Sequence, residues 1–269
     1  MLTRHDTAIL HMEYIMIIDT HAHYDLKEFD EDRDELLSTM MDHGVSHIMN
    51  SSSDVASWQK TLQLSEYYPN VFSTIGVHPD SITELGEEEF LRMQDLLQHP
   101  KVVAVGEIGL DYYWDVADRN LQKEYFSRQM NLAREFAKPI IIHSREAAQD
   151  TMEILRSHGK GLTGSLHCFS YSVEHAKEYV KMGYYIGVGG VVTFKNGRKL
   201  KEVVEAIPLT SMLLETDCPY LAPVPFRGKR NSSTLLTYVV DAIAELKGVT
   251  AQEVIEVTSS NARVLFQLP

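Results

Sequence analysis

VVAVGEI (residues 102–108), ADRNLQKEYFSRQMNLAREFAK (117–138) and PIIIH (139–143) together decide the architecture. The first and last are apolar runs of strand length. The segment between them spaces its apolar residues three and four apart, the period of a helix with one buried face. Pro139 stops that helix, because proline has no N–H with which to continue the ladder. Two strands joined through such a helix read as a parallel strand–helix–strand unit.

The same alternation extends in both directions. MIID (16–19), VSHIMN (45–50) and VFSTIGV (71–77) precede this unit, and GSLHCF (164–169), YYIGVGG (184–190) and SMLLETD (211–217) follow it, each trailed by a helical pattern or a helix-sized gap. Eight such units predict an α/β protein, a closed (β/α)8 TIM barrel, with an open doubly wound sheet as the rival. SSTLLTYVVDAIAELKG (232–248) and TAQEVIEVTSSNARVLF (250–266) are predicted to close the chain as helices opened by Ser and Thr caps, the second an additional C-terminal helix. Residues 16–269 are expected to form a single domain, with 1–15 an N-terminal extension outside the barrel.

The chain carries 25 Lys plus Arg against 38 Asp plus Glu, a formal charge of −13. Such a field repels a long polyanion except where local cations reverse it, which argues against a broad duplex-wrapping surface. Its two cysteines, Cys168 and Cys218, have no spacing that reads as a disulfide framework or a thiolate zinc site. There is no secretory leader pattern and no membrane-length apolar run, so a cytoplasmic protein with no membrane association is expected. No obligate protein partner is evident.

The chemistry gathers at the ends of the apolar runs. His21 and His23, two apart on an extended segment, point to the same side. VVAVGEIGLD contains Glu107, PIIIH ends in His143, GSLHCF carries His167 and SMLLETD ends in Asp217. Imidazoles and carboxylates directly after buried runs are costly unless paired or bound to metal, and several of them together call for one shared explanation. Four histidines and two carboxylates exceed what one tetrahedral ion requires. The mixed nitrogen and oxygen set suits two divalent cations, with Zn, Mn or Ni natural and Mg less so. Glu107 is the expected bridge, with His21, His23 and Asp217 on one ion and His143 and His167 on the other.

The segments DTHAH, GEIGLDYYW, KPIIIHSREA, LHCFS, LLETDCPYLAP and RGKRN, in this order and spacing, resemble the TatD family of metal-dependent deoxyribonucleases from about Met16 to the C-terminus. The resemblance implies a TIM barrel related to the amidohydrolases, a divalent-metal site at the six residues above, and hydrolysis of DNA phosphodiester bonds, often from a 3′ end. Two departures stand out: Tyr171 follows LHCFS where glycine is common, and Ser232-Ser233 follow RGKRN where Glu-Pro is common. Both are expected in loops facing the substrate.

Phosphate oxygens need cations or donors. Arg145, two residues after His143, and Arg227, Lys229 and Arg230 in the FRGKR loop are the candidates, with a solvated surface loop as the plain alternative for the last three. His78, after the third run, is a candidate phosphate contact or leaving-group polariser. Glu215 shares the inward face of Asp217, where it either orients a ligand histidine or is a buried carboxylate paired with a neighbouring base or an arginine. Tyr112, Tyr113 and Trp114 are candidates to stack on an unpaired base or to pack over the barrel mouth. Cys168 reads as a buried thiol rather than a nucleophile. The function so predicted is a two-metal deoxyribonuclease in which Glu107 and Asp217 are catalytic, a 3′–5′ exonuclease on single-stranded or frayed DNA ends. The rival is an amidohydrolase-type ester or amide hydrolase, such as an aminoacyl-ester deacylase.

Overall fold

The computed structural model describes residues 16–114 and 116–268 of the chain, so the expected extension at residues 1–15 lies outside the described residues. Eight strands form one parallel sheet in sequence order: β1 (Ile17–Ala22), β2 (Val45–Ser51), β3 (Val71–Ile75), β4 (Val102–Asp111), β5 (Ile140–Arg145), β6 (Gly164–Leu166), β7 (Tyr184–Val188) and β8 (Met212–Leu214). The first seven crossovers carry α1 (Arg33–Thr39), α2 (Ser57–Tyr67), α3 (Glu87–Leu97), α4 (Arg119–Glu135), α5 (Ala148–His158), α6 (Val173–Lys181) and α7 (Arg198–Ala206), and α8 (Leu236–Lys247) and α9 (Ala251–Phe266) end the chain. All eight expected strands and the additional C-terminal helix are present, and the molecule is a TIM barrel.

An open sheet would leave β1 and β8 as edges. Here they meet just beyond β8, where Ala22 bridges Cys218, His23 N–H donates to the Cys218 carbonyl at 2.9 Å and Asp217 N–H donates to the His21 carbonyl at 2.9 Å. The closure therefore runs through the very residues predicted to carry chemistry.

At the opposite end, Ile18, Met49, Phe72, Ile141 and Leu213 from the strands join Ala262, Leu265 and Phe266 of α9 in a buried apolar cluster. Asn261 Nδ2 donates to the carbonyls of Leu209 and Met212, both at 2.8 Å, and Ser259 Oγ donates to the Met16 carbonyl at 2.9 Å. These contacts fix α9 across the amino ends of the strands as a floor. The outward strand residues, Ile17, Val45, Val71 and Ile140 among them, pack with the surrounding helices in the larger core.

Asp118 caps α4 by accepting from the N–H groups of Asn120 and Leu121, and Thr250 caps α9 by accepting from Glu253 N–H. The expected serine cap on the preceding helix is not formed. α8 starts at Leu236 without a side-chain cap, because Ser233 is buried with its hydroxyl on Asp19 and Ser232 turns to Thr234.

Candidate metal centre

The carboxyl ends of the strands bring all six predicted residues into one cluster. His21 lies in β1 and His23 just past it, Glu107 in β4, His143 in β5, His167 after β6 and Asp217 after β8. His21 Nε2 and His23 Nε2 are 3.1 Å apart. Glu107 Oε2 lies 3.5 and 3.7 Å from them, and Asp217 Oδ1 lies 3.8 and 3.4 Å from them. The other Glu107 oxygen faces the second pair, with Oε1 at 2.8 Å from His143 Nδ1 and 2.7 Å from His167 Nε2. Glu107 thus stands between two histidine pairs, one oxygen to each.

The local backbone makes this convergence sterically feasible. Gly109, at φ 145°, sits so close to β5 that a Cβ would come within 2.0 Å of the His143 carbonyl oxygen, so only glycine lets β4 and β5 approach there. Cys168 and Asp217 adopt left-handed backbone, at φ 46° and 57°. Such positions cost about 1–3 kcal/mol and persist where the surroundings over-determine them.

The hydrogen bonds set the tautomers. His23 Nδ1 lies 2.8 Å from the Ser51 carbonyl, which can only accept, so Nδ1 carries a proton and Nε2 is the nitrogen that faces the cluster. His21 Nδ1 lies 3.1 Å from Ser51 Oγ, which lies 2.9 Å from Thr74 Oγ1, itself 2.9 Å from the Gly106 carbonyl. Thr74 Oγ1 donates toward Ser51 Oγ and the Gly106 carbonyl, so the hydroxyl proton of Ser51 is left free to serve His21 Nδ1. His21 Nε2 and His23 Nε2 both face the space between Glu107 Oε2 and Asp217 Oδ1. His21, His23 and Asp217, and likewise His21, Glu107 and His167, place one ligand atom each within 4.8 Å of one another, a mixed nitrogen and oxygen donor set that fits a divalent cation. His167 Nδ1 is buried without a hydrogen-bond partner.

Charge tells the same story. Burial pushes His21 down to about 4. Burial also disfavours charge on His23 and His143, but the hydrogen bonds to Asp217 and to Asp111 and Glu107 outweigh it and lift both to about 9. Burial would raise Glu107 and Asp217, yet the surrounding imidazoles hold both below the usual carboxylate range. The cluster keeps ionised carboxylates and must hold positive charge beside them.

Around the cluster the structure adds residues that the sequence reading passed over. Asp111 Oδ2 lies 2.9 Å from His143 Nε2. Burial opposes its charge, but that bond and the N–H groups of Tyr113 and Trp114 hold it down to about 2. Its signal was present: Asp111 is four residues beyond Glu107 and so has the same facing in a strand. Asp19 accepts from Thr216 Oγ1 at 2.7 Å and Ser233 Oγ at 2.6 Å, while burial raises it to about 6. It ties β1 to the segment bearing Asp217.

His78 borders the cluster with Nε2 3.6 Å from Glu107 Oε1. Its Nδ1 accepts from Asp80 N–H at 3.2 Å, so Nε2 carries the proton; burial pushes the ring down to about 3 and keeps it neutral. Arg145 lies at the mouth with its guanidinium 3.9 Å from the Tyr113 ring centroid and 5.5 Å from that of Trp114. Arg145, Trp114, His78 and the cluster residues His23, Glu107, His143, His167 and Asp217 line one cleft of about 690 Å³.

Arg227, Lys229 and Arg230 are held apart from that cluster. Arg227 lies over the Phe194 ring at 4.4 Å and reaches Asn196 Oδ1 at 3.4 Å, and the Lys229 side chain is exposed. Arg230 is engaged by Asp32 and the Glu28 carbonyl. Of the two readings of Glu215 the structure favours the buried carboxylate, though its partner is neither a base nor an arginine: Oε1 accepts from the Cys168 N–H and so fixes the backbone beside His167. Nor do the two departures from the family pattern face the cleft. The Tyr171 hydroxyl bonds Ser144 Oγ at 2.9 Å and accepts from Ala147 N–H at 3.1 Å, and Ser233 is buried. Burial raises the Cys168 thiol well above its ordinary range, which disfavours a thiolate nucleophile.

Residues 18–267 match the family described as TatD related DNase. The chain is 42% identical over 254 residues to the uncharacterized metal-dependent hydrolase YabD of Bacillus subtilis, covering 94% of this chain and 100% of that protein. Among solved structures it is similar to YjjV, a TatD homolog from Escherichia coli, with a TM-score of 0.90 and 31% identity over 95% of this chain and 100% of that one. It is also similar to a TatD family hydrolase from Entamoeba histolytica, with a TM-score of 0.85 and 25% identity over 93% and 98% of the two chains.

Proposed function

The chain belongs to the TatD related DNase family and is a metal-dependent hydrolase, and from that premise we propose that it hydrolyses DNA phosphodiester bonds as a 3′–5′ exonuclease on single-stranded or frayed ends. The observation that carries this reading is the placement of Glu107, one oxygen toward His21 and His23 and the other toward His143 and His167. On this reading His21, His23 and Asp217 would hold one divalent cation and His143 and His167 a second, with Glu107 available to both. Cations held there would supply Lewis acidity toward the phosphoryl oxygens and would lower the pKa of an attacking water.

The protein's own groups do the rest. Asp217, kept ionised beside His23, accepts the proton that the water gives up. Asp111 fixes the ring of His143 through its Nε2, as carboxylate partners of metal-bound histidines do. His78 directs an Nε2–H into the cleft, where it donates to a phosphate or leaving-group oxygen. Arg145, backed by Tyr113 and Trp114, holds a non-bridging oxygen.

The deciding experiment is cleavage of end-labelled single-stranded and duplex DNA by metal-stripped protein with Mg, Mn or Zn restored, beside Glu107→Ala. Stepwise loss of nucleotides from the 3′ end, dependent on metal and absent in the variant, is expected. Metal-replete protein that leaves every DNA intact would overturn the nuclease reading in favour of an ester or amide hydrolase.

A further inference from the structure

A second cavity, of about 390 Å³, opens beside the cleft among the segments that follow β6, β7 and β8. Cys168, Ser170, Val191, Asp217 and Leu221 line both spaces, so the two adjoin along the wall that carries Asp217. Val191 and Leu221 are the accessible apolar residues of its lining, with Phe169 and Leu200 buried behind them in the core, and buried Glu215 lies there too. Its rim carries Asn196, Arg198 and Lys199 at the start of α7. Arg227, from a segment distant in sequence, reaches that rim through Asn196.

Three cations thus gather at one cavity in a chain whose formal charge is −13. Arg198 has an exposed partner, Glu202 at 3.5 Å, and exposed pairs of this kind contribute little, so its charge remains available. A concentration of one sign of charge at a cleft raises the local concentration of the opposite ion. The volume lies toward the small end of the roughly 300–1,000 Å³ range of ligand sites, and apolar walls suit the face of a single ring system.

We propose that this cavity takes the nucleoside on one side of the scissile phosphate, with its base against Val191 and Leu221 and its outer phosphate against Arg198, Lys199 and Arg227. The proposal rests on the nuclease reading above. The nucleotide on the other side then lies toward Arg145 and Trp114, which approach the cleft from the β4–β5 side of the barrel.

The test compares metal-replete wild type with Asn196→Trp, an exposed rim position where indole fills the entrance. The substrates are a deoxydinucleotide, its two analogues abasic on one side or the other, and bis(p-nitrophenyl) phosphate. Wild type is expected to prefer the full dinucleotide over one abasic analogue by about tenfold in kcat/KM, the effect of one stacked base, and Asn196→Trp to bring that ratio to about one. Arg198→Glu with Lys199→Glu provides an independent reading: the KM advantage conferred by an added terminal phosphate is expected to disappear. A wild type indifferent to the base, or ratios that survive both variants, would overturn the cavity assignment while leaving DNA hydrolysis intact. Hydrolysis of bis(p-nitrophenyl) phosphate with every dinucleotide untouched would overturn the nuclease reading and this assignment with it.

Discussion

The two ends of the barrel are built from the same strands and share almost no chemistry. At the amino end, Ile18, Ile141 and Leu213 close on Leu265 and Phe266 of α9. At the carboxyl end, three to four residues further along the same strands or just beyond them, stand His21, Ser144 and Asp217 beside the histidine cluster. Removing apolar surface from water stabilises the first end, whereas burying ionisable groups costs the second. Stability and chemistry are therefore separable by position along a strand, and substitutions at the two ends should fail in different ways.

The largest expected effect is at the mouth. Glu107→Ala removes the group that faces both histidine pairs, and hydrolysis should fall by about 10³-fold or more, a barrier increase of about 4 kcal/mol. Elemental analysis should show lost metal in the same protein. A variant that keeps both its metal and its rate would break the comparison at its centre.

The floor should give the opposite pattern. Phe266→Ala empties part of the seal beneath the strands and should cost about 3–5 kcal/mol of stability, read as a lower denaturant midpoint. The rate per folded molecule and the metal content should be unchanged. A fall in rate without a fall in midpoint would mean that α9 positions the mouth after all.

Arg145→Ala sharpens the division within the mouth itself. Loss of one charge-assisted contact to phosphate should lower kcat/KM on DNA by about tenfold, with metal content as in wild type. Metal lost together with rate would place Arg145 among the groups that support the cluster rather than those that hold substrate.

How much of this was legible in advance follows from the range of each signal. The strands were readable because each is a local apolar run, and the six cluster residues because each ends or directly follows one, as His143 and Asp217 do. Asp19, Ser51, Thr74 and Ser233 were not readable as parts of the site. Each acts through a partner that only the closed barrel supplies, such as Ser233 on Asp19 across 214 residues. The FRGKR loop shows the converse: its charges were visible together, but folding separates Arg230, held by Asp32, from Arg227, which joins Arg198 and Lys199 at a different cavity. A dense basic run fixes the number of charges and not their destinations.

The smallest effect belongs to the floor and tests whether its chemistry is independent of the mouth. His47, in β2, lies with its ring 5.7 Å from that of Phe72. Burial, followed by the charges of Arg263 and Lys101, pushes it from 6.5 down to about 4. A histidine lowered in this way binds its proton more readily in the unfolded chain. Between pH 6.5 and about 4 the unfolded state therefore holds more protons, and stability falls as pH falls through that window. His47→Gln should flatten that acid limb, measured as denaturant midpoints of metal-free protein at pH 7 and pH 5. The change should be the same in the Glu107→Ala background, because residues this far apart with no shared partner contribute independently. A limb that flattens only when Glu107 is present would show that protonation at the floor reaches the mouth, and the two ends would have to be treated as one electrostatic unit.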